Sequence, residues 1–363
     1  MLKSKRFKPI VIALHDEARD LDPIISFDQI RIIPSDLQNL SEFLDSRGIE
    51  HIIWNEFVMQ IGAGEKFALN SLHPDIIFRQ THYEHSMPEE FRVSNLSNLK
   101  ICYLPYEFEI AEVPHVNVEQ ELFTWAWKIF VASNMHLKFY HSKNPSLNLE
   151  MNYYPKLEII AQESELKRSR KIRKRVLWAP HHSVGDTWLQ FGTFHLIYQE
   201  FLNFVAVNPD VDFVLRGHHL LFDYLVKLEK LTSEEVNGFL LNWDSLPNAY
   251  FDRNPDYTES FADSDILLTD GISFLAEYHA TKKPLVFLER KEHEVLTEVG
   301  KFFLEGAYCC QNVGEVFQVL ESFFSGNLEA NFGTKESKFS SLVSGKKGSA
   351  KQICQTIYRS FDK

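Results

Sequence analysis

Short apolar runs that do not alternate with polar residues recur along this chain, and they constrain its fold more than any other feature. The first half carries 9-PIVIAL-14, 51-HIIW-54, 75-DIIF-78, 100-KICYL-104 and 128-KIFVA-132. The second carries 175-RVLWA-179, 211-VDFVLR-216, 249-AYF-251, 265-DILLT-269, 284-PLVFL-288 and 307-AYCC-310. A strand with one wet face alternates; a run that stays apolar is covered on both faces, as parallel strands between layers of helices are. Between the runs lie 190-QFGTFHLIYQEFLNFV-205, 220-LLFDYLVKLEKL-231, 272-ISFLAEYHA-280 and 313-VGEVFQVLESFF-324, with apolar residues at three- and four-residue spacings. In the first half, 35-SDLQNLSEFLDSRG-48 opens on Ser35 as an N-cap and closes on Gly48. The pattern predicts an α/β protein with two doubly wound halves.

At 363 residues the chain is longer than a single core usually supports. The expected division is a first domain over 1–165, a basic linker over 166–175, a second domain over 176–345 and a terminal helix within 346–363 that packs back on the first domain. A cleft between the domains is the natural ligand site. With 44% hydrophobic residues and 30 Phe the chain has ample material for packed cores. A formal net charge of −12 argues against broad binding of nucleic acid. Locally, 167-KRSRKIRKR-175 places seven cations in nine positions, read as a solvated linker or as a peripheral contact with anionic lipid or a polyanionic acceptor.

Cys102, Cys309, Cys310 and Cys354 show no metal-ligand spacing and read as reduced packing residues of a cytoplasmic protein. The first apolar run is too short for a signal peptide or a membrane span.

Three strand ends of the second half carry unusual chemistry: 178-WAPHHS-183, 215-LRGHH-219 and 268-LTDGIS-273. Parallel strands share one direction, so the three loops open on one edge, where ligands of open parallel sheets bind. His181, His182, His218 and His219 therefore gather near a common site. No metal is expected, because adjacent imidazoles rarely reach one ion and no HxH or HxxxH spacing accompanies them. Asp263-Ser264-Asp265 leads into a buried strand and reads as structural. Beyond Asp270 and Gly271, Ser273 stands in the first turn of a helix, where an anion is favoured, and Glu277 lies one turn on. A hydroxyl for a phosphoryl oxygen and an acid for ribose suit a nucleotide; a simple cap and a solvated acid suit the same residues equally.

At these residues the sequence resembles the CDP-glycerol glycerophosphotransferases, the family of the teichoic acid polymerases and related capsule enzymes. The motifs are 178-WAPHHS-183 with 192-GTF-194, 215-LRGHH-219 and, most specific, 263-DSDILLTDGISFLAEYHATKKPLVF-287. The resemblance covers about residues 170–290 well and the rest loosely. It implies a GT-B fold, two Rossmann-like domains facing across a cleft, with the donor held mainly by the second. It implies a catalytic His218, with His219 as the alternative because a His-His pair replaces the family's His-Pro. It further implies donor contacts from His181, Arg216, Thr269, Asp270, Gly271 and Ser273, and from Glu277 to the ribose, with His182 structural. Three departures stand out: Ile272-Ser273 replaces paired serines, 103-YLPYEFE-109 stands where a W-H-G-T-type loop usually supplies a base, and 153-YYPKLE-158 replaces a G-Y-P-K-x-D turn.

The implied reaction is transfer of glycerol phosphate, or a related alditol phosphate, from a CDP-activated donor to a hydroxyl of a cell-surface polymer or its lipid-linked precursor. The CDP-activated donor is a substrate, and the residues identify no certain cofactor. His15, just after the first strand, is the first candidate for the base, followed by His82 and Glu84 in 79-RQTHYEH-85. A GT-B glycosyltransferase using a CMP-, UDP- or GDP-sugar, and a non-catalytic nucleotide- or glycan-binding subunit, are the alternatives.

Overall fold

The computed structural model of the protein describes residues 11–13, 37–62, 64–84, 87–112, 121–167, 173–185, 189–254, 256–328 and 348–361. In the first half, β1 (Val11–Ala13) pairs in parallel with β2 (His51–Ile53). The strands β3 (Ile76–Arg79), β4 (Lys100–Tyr103), β5 (Lys128–Val131) and β6 (Leu149–Met151) form a parallel sheet in chain order. The last of these has no counterpart among the expected strands, because a three-residue strand holding one Glu carries little apolar signal. The helix Leu37–Ser46 gives way to Gly48 at φ +64°, the left-handed closure its sequence predicts.

The second half contains β7 (Lys174–Ala179), β8 (Val211–Leu215), β9 (Ala249–Phe251), β10 (Ile266–Thr269), β11 (Leu285–Leu288) and β12 (Tyr308–Cys310). They form one parallel sheet in the order β12-β11-β10-β7-β8-β9. The strand order reverses between β7 and β10, whose residues pair from Val176 with Ile266 to Ala179 with Thr269. Both faces of this sheet are covered. Val176, Trp178, Ile266 and Leu268 enter one apolar cluster, whereas Leu177, Ala179 and Leu267 enter the other, which explains why the runs do not alternate. Trp178 anchors the first cluster against Phe201 at 4.4 Å, Phe194 at 5.2 Å and Trp243 at 5.8 Å. An aromatic side chain buried to this extent contributes about 2–3 kcal/mol.

The second cluster joins the halves. It includes Phe108, Ile110, Ala111, Tyr154, Leu157 and Ile160 from the first half. The helix Pro155–Leu166 precedes the basic stretch and packs against the helix Thr258–Asp263 and the turn Tyr278–Thr281 of the second half. Ala111 bridges Leu296 in antiparallel fashion, and Thr297 N–H donates to the Ile110 carbonyl at 2.8 Å. Here Gly300 is required, since a Cβ at this position would collide with the Ile110 carbonyl oxygen.

The terminal helix Ser349–Phe361 places Ile353 and Ile357 against Cys102 and Phe130 of the first half. Glu158 fixes its start, accepting from Gly348 N at 2.7 Å, Ser349 N at 3.0 Å and Ser349 Oγ at 2.8 Å. Of the expected helix 220–231 only Leu221–Lys227 forms, and Glu229 turns into the left-handed region at φ +53°. A further helix, Ser233–Ser245, starts on a capping box made by Thr232 and Glu235.

Several cations of the basic stretch are engaged locally. Lys167 pairs with Glu259 at 2.7 Å and Asp263 at 3.3 Å, Arg173 with Asp212 at 3.1 Å, and Arg175 with Asp212 at 3.4 Å. Lys174 donates to the Phe323 and Phe324 carbonyls. Residues 168–172 lie outside the described part of the chain. Cys309 is exposed, a correction to its reading as a packing residue, because its side chain alternates outward on the edge strand β12. Among the described residues no helix is long and apolar enough to cross a membrane.

Candidate active site

The carboxyl ends of β7, β8 and β10 converge at the point where the strand order reverses, the location physics assigns to a ligand in such a sheet. Backbone bonds tie the loops together: Arg216 N donates to the Trp178 carbonyl at 2.8 Å and His218 N to the Pro180 carbonyl at 3.1 Å. The imidazoles then form a column. His181 lies 4.4 Å from His182, His182 stacks on His218 at 3.9 Å, and His218 stacks on His219 at 4.2 Å. Among the described residues no group of three His, Cys, Asp or Glu is arranged to hold a metal ion.

The ring orientation of His181 follows from its neighbours. Ser183 N donates to His181 Nδ1 at 3.2 Å, and Ser183 Oγ lies 2.8 Å from the same nitrogen while accepting from Phe191 N. Nδ1 is therefore an acceptor and the ring proton sits on Nε2. Leu220 N likewise donates to His218 Nδ1 at 3.2 Å, which puts that ring's proton on Nε2 in the neutral form. Burial, and then the adjacent His182, hold His181 well below the usual imidazole range; burial holds His182 down at about 4. Burial thus favours the neutral form of both rings, and a neutral imidazole offers an N–H donor rather than a fixed positive charge.

Asp270 is a clasp. Its carboxylate accepts from His181 N at 2.6 Å, Thr193 N at 2.5 Å and Thr193 Oγ at 2.7 Å, and it is 2% exposed. It thereby ties the β10 loop to the 192-GTF-194 turn. Gly192 is needed in that turn, because a Cβ would lie 2.7 Å from the His181 carbonyl oxygen. Burial raises the Asp270 carboxyl to about 6, opposed by the bonds from Thr193 and His181. Thr269 is also committed internally: its hydroxyl donates to the Ala179 carbonyl at 2.7 Å and accepts from Gly271 N at 2.9 Å. Direct donor contact from Thr269 or Asp270, which the family resemblance implies, does not fit these bonds; both residues shape the loop instead.

Gly271 and Ser273 follow on the same strand end, Gly271 buried and directly before the next helix. A Cβ on Gly271 would lie 3.8 Å from the His181 ring, so little separates the imidazole from this backbone. Ser273 is half-buried on the short helix Ile272–Glu277, which has no side-chain cap.

Arg216 and Glu277 belong to a second layer that sequence reasoning did not foresee. Arg216 pairs with Asp252 at 2.6 Å, and its guanidinium lies 5.3 Å from the centroid of the Tyr257 ring. Lys156 Nζ lies 5.1 Å from the same ring. The Tyr257 hydroxyl donates to Glu277, and Lys156 sits 3.6 Å from the other carboxylate oxygen. Glu277 is 0% exposed, so it is held inside a network rather than presented to solvent as a ribose acceptor. Burial raises its carboxyl, while Lys156 and Tyr257 pull it down. Lys156 also donates to the Tyr106 carbonyl at 2.8 Å, which joins Glu277 to the first-half loop 103–109. The signal for Lys156 lay in 153-YYPKLE-158; nothing local in the sequence marks Tyr257 or Asp252.

The expected bases fare differently. His15 lies outside the described residues. His82 is 0% exposed with Nδ1 at 3.1 Å from the Tyr103 hydroxyl. Glu84 takes Arg79 Nη2 on one oxygen and Val93 N on the other, both at 2.9 Å. Both are thereby engaged in contacts within the first half, around β3 and β4.

No protein-family model matches the sequence, and no curated protein matches it. Solved structures do. The chain is similar to the wall teichoic acid polymerase TagF with a TM-score of 0.56 at 13% identity, over 97% of this chain and 88% of that one. It is similar to S. aureus MnaA in a co-structure with UDP, with a TM-score of 0.55 at 12% identity over 89% of this chain and 87% of that one. The UDP-GlcNAc 2-epimerase of Methanocaldococcus jannaschii, in complex with UDP-GlcNAc and UDP, gives 0.52 at 12% identity over 96% and 99%. At these identities the likeness is one of fold: α/β with parallel sheets in two domains, of GT-B type.

Proposed function

We propose that the protein transfers an alditol phosphate from a CDP-linked donor to a hydroxyl of an envelope polymer or its precursor. The reading is carried by the gathering of His181, His218, His219, Gly271 and Ser273 at the reversal of strand order, on a fold like that of TagF. A TagF variant has been studied in crystals soaked with CDPG, and the similarity of fold to that structure has a TM-score of 0.54 at 12% identity. Nucleotide-linked substrates also accompany the epimerase structures, which is compatible with donor binding at this edge.

In the proposed reaction the donor pyrophosphate lies against Gly271 and Ser273. The Nε2–H groups of His181 and His218 donate to its oxygens, His219 being the alternative to His218. Phosphoryl transfer asks for alignment and neutralisation of developing charge more than covalent chemistry. Neutral imidazoles that take up a proton as negative charge grows are suited to that task. Arg216 adds positive potential from beneath, moderated by its bond to Asp252. The protein would work from the cytoplasmic face of the membrane, with the basic stretch 167–175 as its contact with an anionic surface.

Isothermal titration against CDP-glycerol, CDP-ribitol, CMP, UDP-GlcNAc and a GDP-sugar tests the reading. Binding of CDP-alditols and CMP, weakened at least tenfold in S273A and in the H218A/H219A double variant, is the expected result. Binding of UDP or GDP compounds alone would transfer the assignment to a sugar-nucleotide enzyme, and binding of none would leave a glycan-binding subunit.

A further inference from the structure

We infer that His182 is a positioning residue for the transfer step. Its ring is the platform that sets the plane of the His218 imidazole and so aims the Nε2–H of His218 at the donor. The inference deepens the transfer reading above and rests on it, and it gives His182 more than a structural part. Three observations support it.

The first is the backbone. The Pro180 carbonyl accepts from His218 N at 3.1 Å, which locks the two loops in register just before His182. The His182 carbonyl then accepts from Val184 N at 2.8 Å, a tight three-residue turn that holds the direction in which its side chain leaves. On the other loop the His218 carbonyl accepts from Leu221 N at 2.8 Å. Both imidazoles thus ride on hydrogen-bonded turns.

The second is the stack. His182 lies against His218 at 3.9 Å with 28° between the ring planes, and His219 lies against His218 at 4.2 Å with 29°. Two rings that close and that nearly parallel cannot share one face, so His218 is enclosed on both. Tyr224, on the helix Leu221–Lys227, meets the His182 ring edge to face at 5.5 Å and 84°, and His181 flanks it at 4.4 Å.

The third is what the stack supplies. An imidazole turns broadly about its last bond, so a rotamer alone does not fix its plane. Leu220 N donates to His218 Nδ1 at 3.2 Å and decides which nitrogen points away; the plane itself needs a face to rest on. His182 suits that task. Its Nδ1 is buried with no hydrogen-bond partner among the described residues, so on that side ring contacts hold it rather than a hydrogen bond. Burial holds its imidazole down at about 4, which leaves an uncharged π face toward His218. A side chain of similar bulk without a ring would fill the space and leave the plane of His218 unset.

His182 acts through His218, whose N–H must point at a phosphoryl oxygen where negative charge develops. Hydrogen bonds weaken steeply as they bend. A ring free to tilt therefore loses the contact made in the transition state, and the loss falls on kcat more than on KM.

The test uses the full chain with isotope-labelled histidine, CDP-glycerol as donor and a synthetic glycerol-phosphate oligomer as acceptor. H182L keeps bulk and apolar character without a ring. It should lose about tenfold in kcat, with KM and calorimetric affinity for CDP-glycerol within about threefold of wild type. The ring nitrogens of His218, assigned by their absence in H218N, should give a sharp Nδ1 resonance in wild type and a shifted, broadened one in H182L as the bond from Leu220 N loosens. H182F restores a ring and should recover most of the rate and the sharp resonance. Y224L, which removes the edge contact on the platform, should lose about two- to threefold in kcat and serves the same comparison if H182L proves too unstable to purify. Equal turnover in wild type and H182L, equal loss in H182L and H182F, or a His218 resonance unchanged by H182L would each overturn the positioning role. Failure of wild type to bind CDP-glycerol or to transfer removes the transfer reading and this role with it, and calorimetry on wild type separates that case from the others.

Discussion

Replacing Lys156 by Met removes the cation that, among the described residues, pairs with Glu277 at the junction of the halves. The carboxylate is 0% exposed, whereas the Lys156 side chain is 32% exposed and 3.6 Å away. Deleting one partner of a buried pair costs about 3–5 kcal/mol, because the other charge remains without water or counterion. The partial exposure of Lys156 sets the expectation at the low end of that range. Loss of the bond to the Tyr106 carbonyl adds about 1 kcal/mol, limited because Tyr154 still donates to that oxygen. The sum is a deficit of about 4 kcal/mol at pH 8. Its pH dependence has a definite sign. The folded carboxyl of Glu277 is already raised by burial, and loss of Lys156 raises it further. A carboxyl raised on folding stabilises the fold below its unfolded value and loses that contribution as pH climbs through the folded value. The K156M deficit should therefore shrink to about 1 kcal/mol near pH 5 and reach its full size by pH 8. Urea unfolding at the two pH values measures it, with unchanged m-values required for the comparison. The K156M/E277Q variant should recover about 2–3 kcal/mol at pH 8, since no buried charge is then left alone. A deficit below about 1 kcal/mol at pH 8, or one equal at both pH values, would refute the network.

D270N should cost about 2 kcal/mol at pH 4.5, because its NH2 group must face either the His181 or the Thr193 N–H. The rise of the Asp270 carboxyl from 3.8 to about 6 corresponds to about 3 kcal/mol that wild type loses between those pH values. The gap between D270N and wild type should consequently narrow as pH increases to 7, which paired denaturation curves at pH 4.5 and 7 would register. G300A forces a methyl onto the Ile110 carbonyl and should lower stability by about 1–3 kcal/mol. If the antiparallel bridge at Ala111 and Leu296 holds the halves together, small-angle scattering should show a larger radius for the variant; an unchanged radius and melting point would argue against that latch.

Much of the second half was legible because its signals are local. Uninterrupted apolar runs such as 175-RVLWA-179 and 265-DILLT-269 identify strands covered on both faces, and parallel direction then brings His181, His218 and Gly271 to one edge. The sequence reading erred where a side chain's role depends on a partner far along the chain. Thr269 and Asp270 looked like ligand contacts, but Ala179 and Thr193, 90 and 77 positions earlier, share their hydrogen bonds. Glu277 looked like an exposed acid one turn into a helix, and it is closed in by Lys156 and Tyr257.

By itself the sequence determined the type of layering, the strand positions of the second half and the set of imidazoles, because periodicity and strand direction are properties of adjacent residues. Tertiary structure alone decided which polar groups remain available. Burial and hydrogen bonding depend on what packs across the junction: Lys156 and the loop 103–109 approach from the first half, and Tyr257 and Glu277 from the second. A carboxylate's charge, and therefore its chemistry, is set by that surrounding.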